Sequence, residues 1–115
     1  MANRVDQRVI VHGRCRRFPA DVALVLCDIE GGESRLLVPA LLRSAVVIVE
    51  THDDVVPGVT RDLCERFEAT HLVEELRRLP IVTPPVLDWL PEVDRRLALD
   101  ELRSSEQSWL ALFPR

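Results

Sequence analysis

VALVLCDIEGGE, residues Val22 to Glu33, is apolar at every position up to Cys27 and then turns abruptly acidic and glycine-rich. SAVVIVETHDD, Ser44 to Asp54, repeats the design, with a β-branched run that ends in Glu50, His52, Asp53 and Asp54. A short run that is apolar throughout fits a strand covered on both faces, as in a parallel sheet. The twelve residues between them, ESRLLVPALLRS from Glu33 to Ser44, suit a crossover with one or two helical turns, broken where Pro39 cannot donate a backbone bond. The two runs thus form a right-handed βαβ unit. In such a sheet the side chains at the carboxyl ends of neighbouring strands converge on the crevice where ligands bind. Asp28, Glu30, Glu50, His52 and Asp53 are therefore expected to share one pocket.

Outward from this unit, Arg8 to His12 (RVIVH) reads as a strand closed by Gly13, and Phe18 to Asp21 as a turn. Pro57-Gly58 marks a second turn. Thr60 is placed to cap a helix through about Ala69, with Val59, Leu63 and Phe67 recurring every four residues on its inner face. Thr70 to Leu76 is read as a strand because the following prolines close it. Pro91 opens a helix through about Arg103, with Val93, Leu97, Ala98 and Leu102 inward. Trp109 to Phe113 supplies a last strand. The proline-rich stretch from Pro80 to Pro91 carries the chain over the sheet edge. The fold expected is α/β: one domain, residues 1 to 115, with a partial doubly wound, mostly parallel sheet and flanking helices.

The 115 residues have room for one core, and 47% hydrophobic with 30% charged residues describes a globular chain rather than a disordered one. A net charge of -4 gives no general attraction to nucleic acid or to an anionic membrane. The basic N-terminal segment, with Arg4, Arg8, Arg14, Arg16 and Arg17, reads as a solvated face. All fifteen basic residues are arginine, and tyrosine is absent. A Schiff-base lysine, a phosphate-loop lysine and a tyrosine general acid are therefore excluded within this sequence. Three widely spaced cysteines with no CxxC pair indicate neither a disulfide framework nor a zinc ribbon, so a reduced, cytoplasmic setting is expected. No apolar run approaches the ~20 residues of a membrane helix.

Several of these strings together resemble a known family. LVLCDIEGGE (Leu24 to Glu33), LLVPALLRSAVVIVETHD (Leu36 to Asp53), PGVTRDLCERFEATH (Pro57 to His71) and SWLALFP (Ser108 to Pro114) look like the later half of a class I S-adenosylmethionine-dependent methyltransferase. DIEGGE is similar to the D-x-E-G-x-E motif of FkbM-type enzymes. RVIVHGRC stands where the family has its third strand. The glycine-rich loop and the ribose-binding acid that hold the cofactor in that family have no counterpart in this sequence. The resemblance thus implies a Rossmann-like methyltransferase without its N-terminal half: a truncated frame, a split subunit or a decayed copy.

By position, the resemblance places Gly13, Arg14 and Cys15 on the adenine side of S-adenosyl-L-methionine, with weak or absent binding by this chain alone. It places Asp28 and Glu30 at the methyl-transfer crevice, with Glu50 and Asp53 toward a small-molecule acceptor. Oxygen methylation requires the acceptor hydroxyl to lose its proton, and Asp28 and His52 are the candidate bases. Glu33 opens a helix, where the dipole favours a negative charge, so its place in DIEGGE is read as structural. His12 and His71 are read as structural histidines, Trp89 and Trp109 as core or interface anchors, and Cys27 as a small buried hydrophobe.

Two other readings stay open. One is a non-catalytic α/β module that pairs with a partner chain, a complementing half or a second copy through an uncovered sheet edge. The other is a hydrolase that holds a divalent cation on the same carboxylates and His52, although no metal spacing signature is present.

Overall fold

The computed structural model describes residues 9, 13, 15–76, 83–99 and 107–115. The two apolar runs become β1 (Leu24–Cys27) and β2 (Val46–Thr51), paired in parallel with Leu24 opposite Val46 and Cys27 opposite Val49. As Pro39 dictates, their crossover is broken into a single helical turn, α1 (Glu33–Leu36), and a 3-10 turn at Pro39–Leu41. After β2 comes α2 (Val59–Phe67), then β3 (His71–Leu76), α3 (Glu92–Leu99) and β4 (Ser108–Pro114).

The sheet is open and four-stranded, in the order β1-β2-β4-β3. β4 runs antiparallel to both its neighbours, with Val49 opposite Leu110 on one side and Val73 opposite Leu112 on the other. β1, β2 and β3 therefore point the same way, but only the β1/β2 pair is parallel. The expectation of a mostly parallel sheet is corrected to a mixed one, because the last strand enters the middle of the sheet rather than an edge. Sequence pattern reports that a segment is extended, not which way it runs.

One sheet face carries the core. Val25 and Cys27 of β1, Val47 and Val49 of β2, and Leu110 and Leu112 of β4 are buried against Val59, Leu63 and Phe67 of α2 and against Leu37, Leu42 and Ala45 of the crossover. The four-residue spacing on α2 is the one the sequence predicts. Each large apolar side chain so buried contributes about 1.5–3 kcal/mol. Thr60 is not the cap: Gly58, in the left-handed region at φ 83°, takes that place, and Thr60 lies inside the helix. His71 is structural as expected, with Nε2 bonded to the Ala45 carbonyl at 3.1 Å and Nδ1 to the Thr70 hydroxyl at 2.8 Å.

The opposite face corrects the reading of β1 as covered on both sides. Among the described residues, Leu24 and Leu26 are 60% and 71% exposed, and across the sheet Phe113 and Leu72 continue the row begun by Leu24. α3 is present over Glu92–Leu99, the rest of the expected helix toward Arg103 lying outside the described residues, and Val93, Leu97 and Ala98 are exposed rather than inward. Leu102 and the expected strand at Arg8 to His12 lie outside the described residues. Trp89 is exposed, so it is no core anchor. No helix among the described residues is long and apolar enough to cross a membrane.

Candidate functional site

β1 and β2 end side by side, and the residues that follow them form two interlocked turns. After Cys27 the chain reverses through Glu30, at φ 52°, and Gly31, at φ 95°. A positive φ is uncommon for a residue with a side chain and costs about 1 kcal/mol or more. Gly31 has a second reason to be glycine, since a Cβ there would meet Val55 Cγ1 at 2.7 Å. Val55 belongs to the turn after β2, whose Val55 and Val56 amides both donate to the His52 carbonyl. The Gly31 contact thus seats the acidic turn against the His52 turn.

His52 is fully buried and comes directly after β2. Its Nδ1 lies 2.6 Å from Glu33 Oε1, and that same oxygen accepts a bond from the Gly31 amide at 3.0 Å. Glu33 is also fully buried. α1 holds it in place through Ser34, whose hydroxyl donates to Asp62 and whose carbonyl accepts from Arg66 of α2. The helix-dipole reading of Glu33 therefore misses its main contact. A buried carboxylate needs a partner, and the imidazole nineteen residues away supplies it.

On the other side of the ring, Nε2 points at two carboxylates. Asp28 Oδ1 and Glu30 Oε2 each lie 3.6 Å away, with side chains 51% and 78% exposed. This is within ion-pair reach but too long for a hydrogen bond, and buried Nε2 has no hydrogen-bond partner. The three sequence candidates Asp28, Glu30 and His52 are thus together, at the carboxyl ends of adjacent parallel strands. Burial alone would lower the pKa of His52. The bond to Glu33 and the charges of Glu33, Glu30 and Glu50 outweigh that effect and raise it above 6.5.

The remaining candidates separate. Glu50 is buried at the end of β2, opposite Trp109. Asp53 turns toward α2, where it accepts from the Gly58 amide at 2.9 Å and from the Thr60 amide and hydroxyl. It anchors the start of that helix. The Thr60 and Thr51 hydroxyl oxygens also lie 2.7 Å apart, and the Thr51 hydroxyl donates to the Ser108 carbonyl, which links α2, β2 and β4 beside the site. Gly13 is exposed, and Arg14 lies outside the described residues. Cys15 is exposed and lines an open hollow with Arg16, Ile29, Gly32, Arg35 and Leu36. Ile29 and Gly32 belong to the acidic turn, so this hollow adjoins the segment that carries Asp28 and Glu30.

Chemically, the cluster offers two solvent-facing carboxylates backed by an imidazole whose orientation a buried carboxylate fixes. Such a set is suited to accept a proton or to hold a cation. Cys27, by contrast, is an unreactive thiol, its pKa pushed up to about 11 by burial and by the charges of Glu33 and Asp28. Compared with protein-family models, with curated proteins and with solved structures, the chain has no match.

Proposed function

We propose that this chain is the acceptor-side half of a Rossmann-like methyltransferase that uses S-adenosyl-L-methionine, with transfer to the hydroxyl of a small molecule. The observation that carries the reading is the position of Asp28, Glu30 and His52 at the carboxyl ends of β1 and β2, where open α/β sheets bind their ligands. In this reading Asp28, one of the two carboxylates that solvent reaches, takes the acceptor proton, and His52, held by Glu33, stands behind it. The hollow lined by Cys15 receives the adenine side of the cofactor.

All four glycines of the sequence are accounted for at Gly13, Gly31, Gly32 and Gly58, none of them in a glycine-rich cofactor loop. The expected affinity for S-adenosylmethionine is accordingly poor, with Kd weaker than about 10 μM, or less than ~7 kcal/mol of binding free energy. Amide chemical shifts of the chain titrated with S-adenosylmethionine to about 1 mM test this. Shifts centred on Cys15, Ile29 and Gly32 are expected. Saturation tighter than about 10 μM, or shifts elsewhere only, would contradict the reading. In an active assembly completed by a cofactor-binding half, Asp28→Asn and His52→Ala should each slow transfer by about 10²-fold or more.

A second reading has its own observation. β1 pairs on one side only and leaves Leu24 and Leu26 exposed among the described residues. An apolar edge of this kind is a template for another chain. Under this reading the chain is a module that joins a complementing half or a second copy. Sedimentation across ~1 to 100 μM separates the two: self-association favours the module, and a monomer throughout removes its main support.

A further inference from the structure

We propose that Asp28, Glu30 and His52 form a binding site for one divalent first-row metal ion, which manganese can occupy, with Glu33 as the residue that positions the imidazole. The site does not depend on methyl transfer, because it is defined by atoms already in place. One carboxylate oxygen from Asp28, one from Glu30 and a nitrogen from His52 lie within 4.8 Å of one another. Exposed acidic side chains alone would carry no such claim. The independent observation is His52 Nε2, which is fully buried, has no hydrogen-bond partner, and faces both carboxylates at 3.6 Å. Leaving a buried polar atom unpaired costs about 1–3 kcal/mol. An ion between the three groups satisfies it.

The distances suit the ion. Ligands at about 2.1 Å from a metal stand roughly 3.0 Å apart in octahedral and 3.4 Å apart in tetrahedral coordination. The two 3.6 Å separations, and the separation of the two carboxylates, which is within 4.8 Å, close on the ion by movement of the exposed carboxylates rather than of the buried ring. Two hard oxygens and one imidazole nitrogen, with no thiolate, suit a divalent first-row metal ion, and the nitrogen favours such an ion over calcium or magnesium; iron and zinc would bind the same donors more tightly than manganese, which is the ion whose paramagnetism reads the ligand nitrogen. Two carboxylates also neutralise a 2+ ion. The Glu33 contact to Nδ1 at 2.6 Å is the arrangement by which a second carboxylate fixes the tautomer and ring orientation of a metal-binding histidine. With three protein ligands, coordination positions stay open for water or for an acceptor hydroxyl. An acceptor bound there would meet the ion, and Nε2 would serve as ligand rather than base.

The test is titration of the metal-free full chain with Mn²⁺, followed by electron paramagnetic resonance. One ion per chain with Kd below about 100 μM is expected, because affinity follows ligand charge count. A ¹⁴N coupling from the imidazole should appear in the bound signal. Asp28→Asn and Glu30→Gln alter exposed side chains and leave the fold intact, and each should weaken binding at least tenfold. Glu33→Gln should weaken it by about 10- to 100-fold and change the ¹⁴N coupling, a readout that loss of stability alone does not move. No saturable binding up to 1 mM Mn²⁺, no ¹⁴N coupling, or unchanged affinity in both Asp28→Asn and Glu30→Gln would overturn the proposal. None of these outcomes bears on S-adenosylmethionine binding, so the two readings fail separately.

Discussion

Removing His52 alone should cost more than removing both members of the Glu33–His52 pair. The pair is fully buried and joined at 2.6 Å. His52→Leu leaves the Glu33 carboxylate without its imidazole in a site that water does not reach, at a cost of about 3–5 kcal/mol. Glu33→Leu leaves the imidazole Nδ1 and the Gly31 amide unsatisfied, at about 1–3 kcal/mol. In the double variant only the Gly31 amide is left, so its cost falls back to about 1–3 kcal/mol. The coupling energy is then about 3–5 kcal/mol, large against a total stability of about 5–15 kcal/mol. Urea unfolding at neutral pH, read by circular dichroism, measures it. With m near 1–1.5 kcal/mol/M, the His52→Leu midpoint falls by about 2–5 M. Should either single variant not fold, Glu33→Gln preserves the shape and supplies a gentler arm. Additivity within about 0.5 kcal/mol would mean that the two side chains do not depend on each other, and the site as described would be wrong.

Glu30→Gly should raise stability by about 1 kcal/mol, or about 4 °C in melting temperature, because it relieves a side chain held at φ 52° whose end is mostly solvent-exposed; a lower melting temperature would contradict this. Cys15 is exposed and should react with a thiol reagent in the folded protein, whereas Cys27, with its pKa near 11 against an ordinary 9.0, should react about 100-fold more slowly than an ordinary thiol from thiolate fraction alone. Mass spectrometry of the labelled chain checks the order, and early labelling of Cys27 would refute it. Stability should also respond to pH through His52. Its folded pKa lies above 6.5, so its contribution is fully present below pH 6.5 and is lost as pH rises through the folded value. The difference in unfolding free energy between the native chain and His52→Gln should shrink across that window, and growth of the difference would reverse the assignment.

How much of this was legible in the residues depends on the kind of information each feature carries. The β1-crossover-β2 unit was readable because β-branched runs, paired glycines and Pro39 each act locally. The four-residue spacing of Val59, Leu63 and Phe67 likewise reported a real helix face. The direction of β4 was not readable, because an extended segment has the same composition whichever way it pairs. The bare face of β1 was misread for a related reason: Leu24 and Leu26 are apolar, but only the fold decides what meets them. Asp28, Glu30 and His52 were found from strand ends alone. Glu33 was missed, since a glutamate at a helix start has an adequate local explanation. The signal that it does more was available in the Gly31-Gly32 turn, which folds Glu33 inward beneath the strand ends. Asp53 was grouped with the pocket by proximity in sequence, yet the Gly58 and Thr60 amides draw its carboxylate toward α2.

The orientation of one imidazole ring underlies both the proton-accepting and the cation-binding reading of this site. Long-range ¹H–¹⁵N correlation spectra of His52, recorded through a pH titration, measure that orientation directly. The expected result is a neutral ring protonated on Nδ1 and bonded to Glu33, with its lone pair on Nε2 toward Asp28 and Glu30, and a pKa above 6.5. A neutral ring protonated on Nε2, or a pKa below 6.5, would show that Glu33 does not hold His52 and would contradict the account of the site.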